Sequence, residues 1–159
     1  MVSFTTLFAG SAAIANIVAA SPISDPKPPG VTVYKISKLS TSKSEGKPIT
    51  SLKFKILSTN GGTIDFTCSP VDKKTGAPIK EFQDNKTYSC GKDSPFDLFF
   101  DSKSNGLGLS ETIVSGKTTT LYKGETRVPV YCRGGGDTPV ICDQVSDILI
   151  QLTVVPKAT

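Results

Sequence analysis

The chain has 159 residues, a net charge of +4, four cysteines, and neither histidine nor tryptophan. Without histidine, Ser–His–Asp and Cys–His nucleophilic catalysis and every His-ligated zinc site are excluded. One domain is the default at this length, and 14 Gly and 11 Pro among abundant Val, Ile, Thr and Phe describe a folded β-protein rather than a disordered tail.

Residues 1–20 carry no charged side chain and end in Val18-Ala19-Ala20. Small residues before a break point fit a secretory signal peptide cleaved between Ala20 and Ser21. Ser11 and Asn16 interrupt the stretch and no basic flank follows it, which disfavours a membrane anchor. Residues 21–30 hold Pro22, Pro26, Pro28 and Pro29 and read as an extended leader, because proline supports neither a helix interior nor a central strand. The folded domain is expected over residues 31–159.

Val31–Leu39 is the first strand-like run, and Lys43–Thr50 is a polar loop. Over Ser51–Thr59, Leu52, Phe54 and Ile56 alternate with Lys53 and Lys55, the period of a half-buried strand. Asn60-Gly61-Gly62 predicts a tight type I′ hairpin, with Ile64, Phe66 and Cys68 returning on one face. Pro70–Asn85 is a long polar insert. Further runs follow at Thr87–Cys90, Asp97–Asp101, Leu107–Val114, Thr118–Tyr122, Thr126–Tyr131 and Asp147–Val155, with one helical turn conceivable at Val145–Leu149. Short strands at this spacing predict an all-β fold, a compact antiparallel β-barrel or sandwich.

Cys68, Cys90, Cys132 and Cys142 all follow the signal segment. An even count in an exported chain reads as two disulfides, and three pairings are open. No C-x-x-C pair exists, so zinc is not expected.

The ordered motifs Asn60-Gly-Gly-Thr-Ile-Asp-Phe-Thr-Cys68-Ser69, Tyr88-Ser-Cys90-Gly91, Phe100-Asp-Ser102, Gly106-Leu-Gly-Leu109, Tyr131-Cys132-Arg133 and Val145-Ser-Asp147 leading to Val155-Pro156-Lys157 resemble the Alternaria major-allergen family. The resemblance runs from about Tyr34 to the C-terminus. It implies a secreted fungal β-barrel and the local pairs Cys68–Cys90 and Cys132–Cys142. It also implies allergens, or elicitors and effectors that engage plant defence proteins of thaumatin-like type, with a flavonoid-type ligand as a further expectation. Two departures stand out. Residues 21–49 lack the cysteine that links covalent dimers in this family, so a monomer is expected, and the insert Pro70–Asp84 is longer and more basic than the resemblance implies.

No constellation supplies a nucleophile with its base. Asp65, Asp97, Asp101 and Glu111 are carboxylates such as any domain carries, and a glycosidase needs two at defined separation in a cleft. Asp137-Thr138-Pro139 lacks the Gly of an aspartic-protease signature. Gly134-Gly135-Gly136 is better read as turn service than as an anion nest. Neither enzyme activity, cofactor, metal, nucleic acid nor membrane is expected. Asn85-Lys86-Thr87 is the one N-glycosylation sequon. Residues 21–60 hold seven Lys against Asp25 and Glu45, a net of +5, and the rest of the chain nets −1. Lys35, Lys53 and Lys55 are therefore the candidate partner-binding residues, a basic strand face facing an acidic extracellular protein. Small aromatic-ligand carriage and a structural wall role are the alternatives.

Overall fold

The computed structural model describes residues 30–59 and 61–156. The signal segment, its Ala20/Ser21 cleavage point and the leader up to Pro29 lie outside the described residues. Ten strands run in chain order: β1 (Val31–Lys43), β2 (Ile49–Ser58), β3 (Asp65–Cys68), β4 (Tyr88–Ser89), β5 (Phe96–Asp101), β6 (Gly106–Ser115), β7 (Thr118–Arg127), β8 (Val130–Gly135), β9 (Thr138–Gln144) and β10 (Ile148–Val154). All pairs are antiparallel, and the main path is β3-β2-β1-β10-β7-β6-β5-β4.

The two ends of that path meet. Ser69 N–H donates to the Cys90 carbonyl at 3.3 Å, Val71 N–H donates to the Ser89 carbonyl at 2.9 Å, and Cys68 is bonded to Cys90. The two ends of the all-β barrel are thus tied together just beyond β3 and at the end of β4. Inside, Ile36, Phe54, Ile56, Leu98, Phe100, Leu107, Ile150 and Leu152 are fully buried. They come from the alternating positions of their strands, as period two requires.

β1 carries an extra residue relative to β2 between Ser37 and Ser40, where Lys38 takes a φ of 55°. At this bulge the other edge of β1 passes from β10 to β9. The Gln144 side chain fills the gap: its Oε1 accepts Leu39 N–H at 2.9 Å, and its Nε2 donates to the Ile36 carbonyl at 3.0 Å and the Ser146 carbonyl at 2.7 Å. The backbone groups freed by the bulge therefore have partners.

Three expectations are corrected. The β2–β3 connection is wider than a two-residue turn: Ser58 N–H donates to the Ile64 carbonyl at 2.9 Å, so Ile64 precedes the strand and is exposed. Thr118–Tyr122 and Thr126–Tyr131 are not two runs, because β7 continues through Gly124. A Cβ at Gly124 would collide with the Gln151 carbonyl oxygen, so that glycine serves a strand crossing rather than a turn. The polar insert Pro70–Asn85 also adds to the core: Phe82 is buried, its ring lies 4.6 Å from the Tyr88 ring, and its N–H donates to the Ile49 carbonyl at 2.8 Å. Val145–Leu149 makes no helical turn; Val145 and Ser146 bend the chain into β10.

Candidate partner-binding face

Cross-strand register builds an outward face over β8, β9, β1 and β2. Tyr131 lies opposite Asp143, Asp143 opposite Ser40, and Ser40 opposite Lys53. Residues directly opposite share a face, so these four form one row, about 14 Å from end to end at ordinary strand spacing. The next row is Arg133–Ile141–Ser42–Ser51. Asp143 is engaged on both oxygens, one within its row and one with the next: Oδ1 accepts from Ser40 Oγ at 2.7 Å and Oδ2 pairs with Arg133 Nη2 at 3.0 Å. Tyr131 at one end is 66% exposed, and Leu149, outward beside Lys35, is 62% exposed.

The three candidate lysines do share this side of the barrel, but they are not equivalent. Lys55 pairs with Asp65 at 2.7 Å and Lys35 with Asp147 at 3.3 Å. Of the three candidate lysines, Lys53 alone is without an ion pair among the described residues, and the basic face is chequered with acids. Such exposed pairs contribute little to stability, about 0–1 kcal/mol each. They do cancel most of the local field. Both acids belong to segments that the fold brings alongside these lysines.

The tip of the β8–β9 hairpin is turned by Gly134, Gly135 and Gly136, at φ of 92°, 123° and 62°. Gly136 N–H donates to Glu45 Oε2 at 2.9 Å, tying the tip to the β1–β2 connection. Cys132 and Cys142 are directly opposite one another and bonded across the hairpin.

The opposite wall carries a groove of about 630 Å³ over β5, β6 and β7. Two rows line it in register: Asp97–Ser110–Lys123 and Phe99–Gly108–Glu125. The Phe99 ring covers Gly108, where a Cβ would collide with it. Asp97 Oδ2 meets Lys73 Nζ at 3.0 Å, and its Oδ1 is buried without a partner. Asn85 and Thr87 stand on the rim. Asn85 takes a φ of 62°, and its N–H donates to the Phe100 carbonyl at 3.1 Å.

The carboxylates answer to different partners. Asp65 faces Lys55 and Asp97 faces Lys73. Asp101 accepts from Ser104 Oγ and Lys103 N–H, which hold its carboxyl below the usual range. Glu111 points inward, and the Tyr34 phenol is pushed up by burial first and by that carboxylate second. Glu111 Oε2 has no partner in the core. No group of three or more Cys, Asp or Glu among the described residues is arranged to hold a metal.

The family model described as Alternaria alternata allergen 1 matches residues 32–142. The Major allergen Alt a 1 of Alternaria alternata is 37% identical over 166 residues, covering 98% of this chain and 99% of that protein. Allergen Ulo b 1 of Alternaria botrytis is 42% identical over 119 residues, covering 74% of this chain and 80% of that one. The crystal structure of Alternaria alternata allergen Alt a 1 superposes with a TM-score of 0.68 at 38% identity, covering 89% of this chain and all of that one. Sequence and fold agree across nearly the whole described barrel, and the chain belongs to the Alternaria alternata allergen 1 family.

Proposed function

We propose that this protein is a non-enzymatic binding protein that works outside the cell and engages a host extracellular protein of the defence-related, thaumatin-like class. The recognition surface is the outward face of β8, β9, β1 and β2. One observation carries this reading: Tyr131, 66% exposed, stands in a single row with the uncommitted Lys53. Tyr and Arg are the side chains that most often dominate protein interfaces, and Arg133 lies in the adjacent row. Lys53 adds steering towards an acidic partner, an effect on association rate more than on affinity. Family membership supports an allergen-like β-protein.

The inward side chains fill the barrel, so a small aromatic ligand would have to use an outer groove. All four cysteines are in internal bonds. A covalent dimer would need a rearranged pairing, and the monomer is the acting form.

Binding to a purified acidic thaumatin-like plant protein on a biosensor surface tests this reading. Tyr131→Ala should weaken Kd at least tenfold, and Lys53→Glu should slow association and flatten its salt dependence. A folded Tyr131→Ala protein that binds like the parent chain would overturn it.

A further inference from the structure

We infer that the groove over β5, β6 and β7 is the resting place of an N-linked glycan carried by Asn85. The inference rests on passage through the secretory pathway, as the proposed function requires.

Three observations converge on one occupant. First, Asn85 and Thr87, the acceptor and hydroxyl positions of the sequon, both line the groove, and the intervening Lys86 leaves the motif intact. Asn85 is exposed and its backbone is pinned to β5 through the Phe100 carbonyl, so a sugar on its amide starts at the rim. Second, the floor suits a pyranose. Phe99 lies over Gly108 and presents a ring, and the negative face of an aromatic ring attracts the polarised C–H groups of a sugar face. Third, Asp97 lines the same groove, its Oδ2 held by Lys73 Nζ at 3.0 Å, and places a carboxylate beside the hydroxyls of a bound saccharide. Ser110, Lys123 and Glu125 add donors and acceptors around it. A volume of about 630 Å³ falls in the range that buries a ligand of disaccharide size.

The covalent step needs a lipid-pyrophosphate-linked oligosaccharide as co-reactant. Asn85 Nδ2 attacks C1 of its reducing-end N-acetylglucosamine. The C1–O bond to pyrophosphate breaks, the N–C1 bond forms, the amide loses a proton to the transferase base, and the lipid pyrophosphate leaves. The first two sugars then fold back over Phe99 and Gly108 instead of standing in solvent.

The test uses the full chain secreted from a yeast, once with its own residues 1–20 and once with a foreign secretion leader in their place. Peptide mapping after glycosidase release in heavy-oxygen water reads the occupancy of Asn85. Acetylation of Lys123, with Lys53 as internal reference, reads shielding of the groove. Glycosidase release converts the glycosylated asparagine to aspartate in the already folded protein, so the comparison is made within one preparation; Asn85→Asp gives the same residue without enzyme and tolerates the positive φ. The expected result is an occupied Asn85 and Lys123 labelling at least threefold slower before release than after it. A sugar-free exported chain overturns the inference while leaving the extracellular reading intact. An occupied Asn85 with unchanged Lys123 labelling overturns it too. If only the foreign leader exports the chain, and that chain is glycosylated and shielded, the extracellular reading fails and the groove assignment stands.

Discussion

The two disulfides join regions that differ in almost every physical respect. Cys68 and Cys90 are buried in the core, at 0% and 3% exposure, and they bridge the two ends of the strand path where the barrel closes. Cys132 and Cys142 bridge a hairpin whose strands already pair along their length, and Cys132 is exposed. Their sequence separations are 22 and 10 residues. Loop-closure entropy grows only slowly with length, so each crosslink is worth about 3 kcal/mol on that account. Loop length therefore does not separate the two bonds. Burial and position do. The seam bond keeps the core shut, whereas the hairpin bond stiffens the surface proposed to meet the partner.

Replacing both seam cysteines should produce the largest loss. Cys68→Ala with Cys90→Ala forfeits the loop term and two buried sulfurs, and the melting temperature should fall by on the order of 10 °C. Cys132→Ser with Cys142→Ser should cost less than half of that, because the β8–β9 ladder survives the loss. Thermal unfolding by circular dichroism compares the two, and equal losses would contradict the distinction.

Phe82→Ala probes the seam without touching a cysteine. The ring packs on Tyr88, next to Ser89 and two residues before Cys90, so its removal leaves a cavity worth roughly 3 kcal/mol. Denaturant titration should show that loss, with the Cys132–Cys142 hairpin unaffected by hydrogen exchange. A loss below about 1 kcal/mol would mean that the insert is only loosely docked.

The smallest effect concerns Tyr34, inside the barrel beside Glu111. Its phenol is held protonated in the folded state, so the native protein keeps a proton that the unfolded chain releases once pH passes about 10. Stability from this group is complete below that pH and is lost progressively as pH rises above it. Melting temperature should therefore fall less steeply above pH 10 in Tyr34→Phe than in the parent chain. Identical slopes would remove Tyr34 from the account.

Much of the barrel is legible in the chain. The alternation Leu52, Phe54, Ile56 places those side chains inward, because period two leaves a half-buried strand no other choice. The limits have physical causes. Gly124 looks like a turn because glycine's freedom is local, whereas its purpose, the close approach of Gln151, is set by a strand almost thirty residues away. Phe82 is hidden among charged neighbours, and one aromatic in a polar run gives no period. The return strand β9 contains Pro139, which argues against a strand when read alone. The lysines of the basic face can be named from the sequence, but their partners cannot, since Asp65 and Asp147 are brought alongside Lys55 and Lys35 by hairpin and sheet geometry. The row Tyr131–Asp143–Ser40–Lys53 was out of reach for the same reason: it is drawn across four strands by their register.

The contrast between a sealed barrel and an exposed hairpin is tested most directly by hydrogen exchange during graded reduction of the native protein. Cys132–Cys142 should open first, accelerating exchange over Val130–Gln144 while amides of β1, β2 and β6 stay protected and Cys68–Cys90 remains intact. Simultaneous reduction of both bonds with global loss of protection, or earlier opening of Cys68–Cys90, would contradict the account.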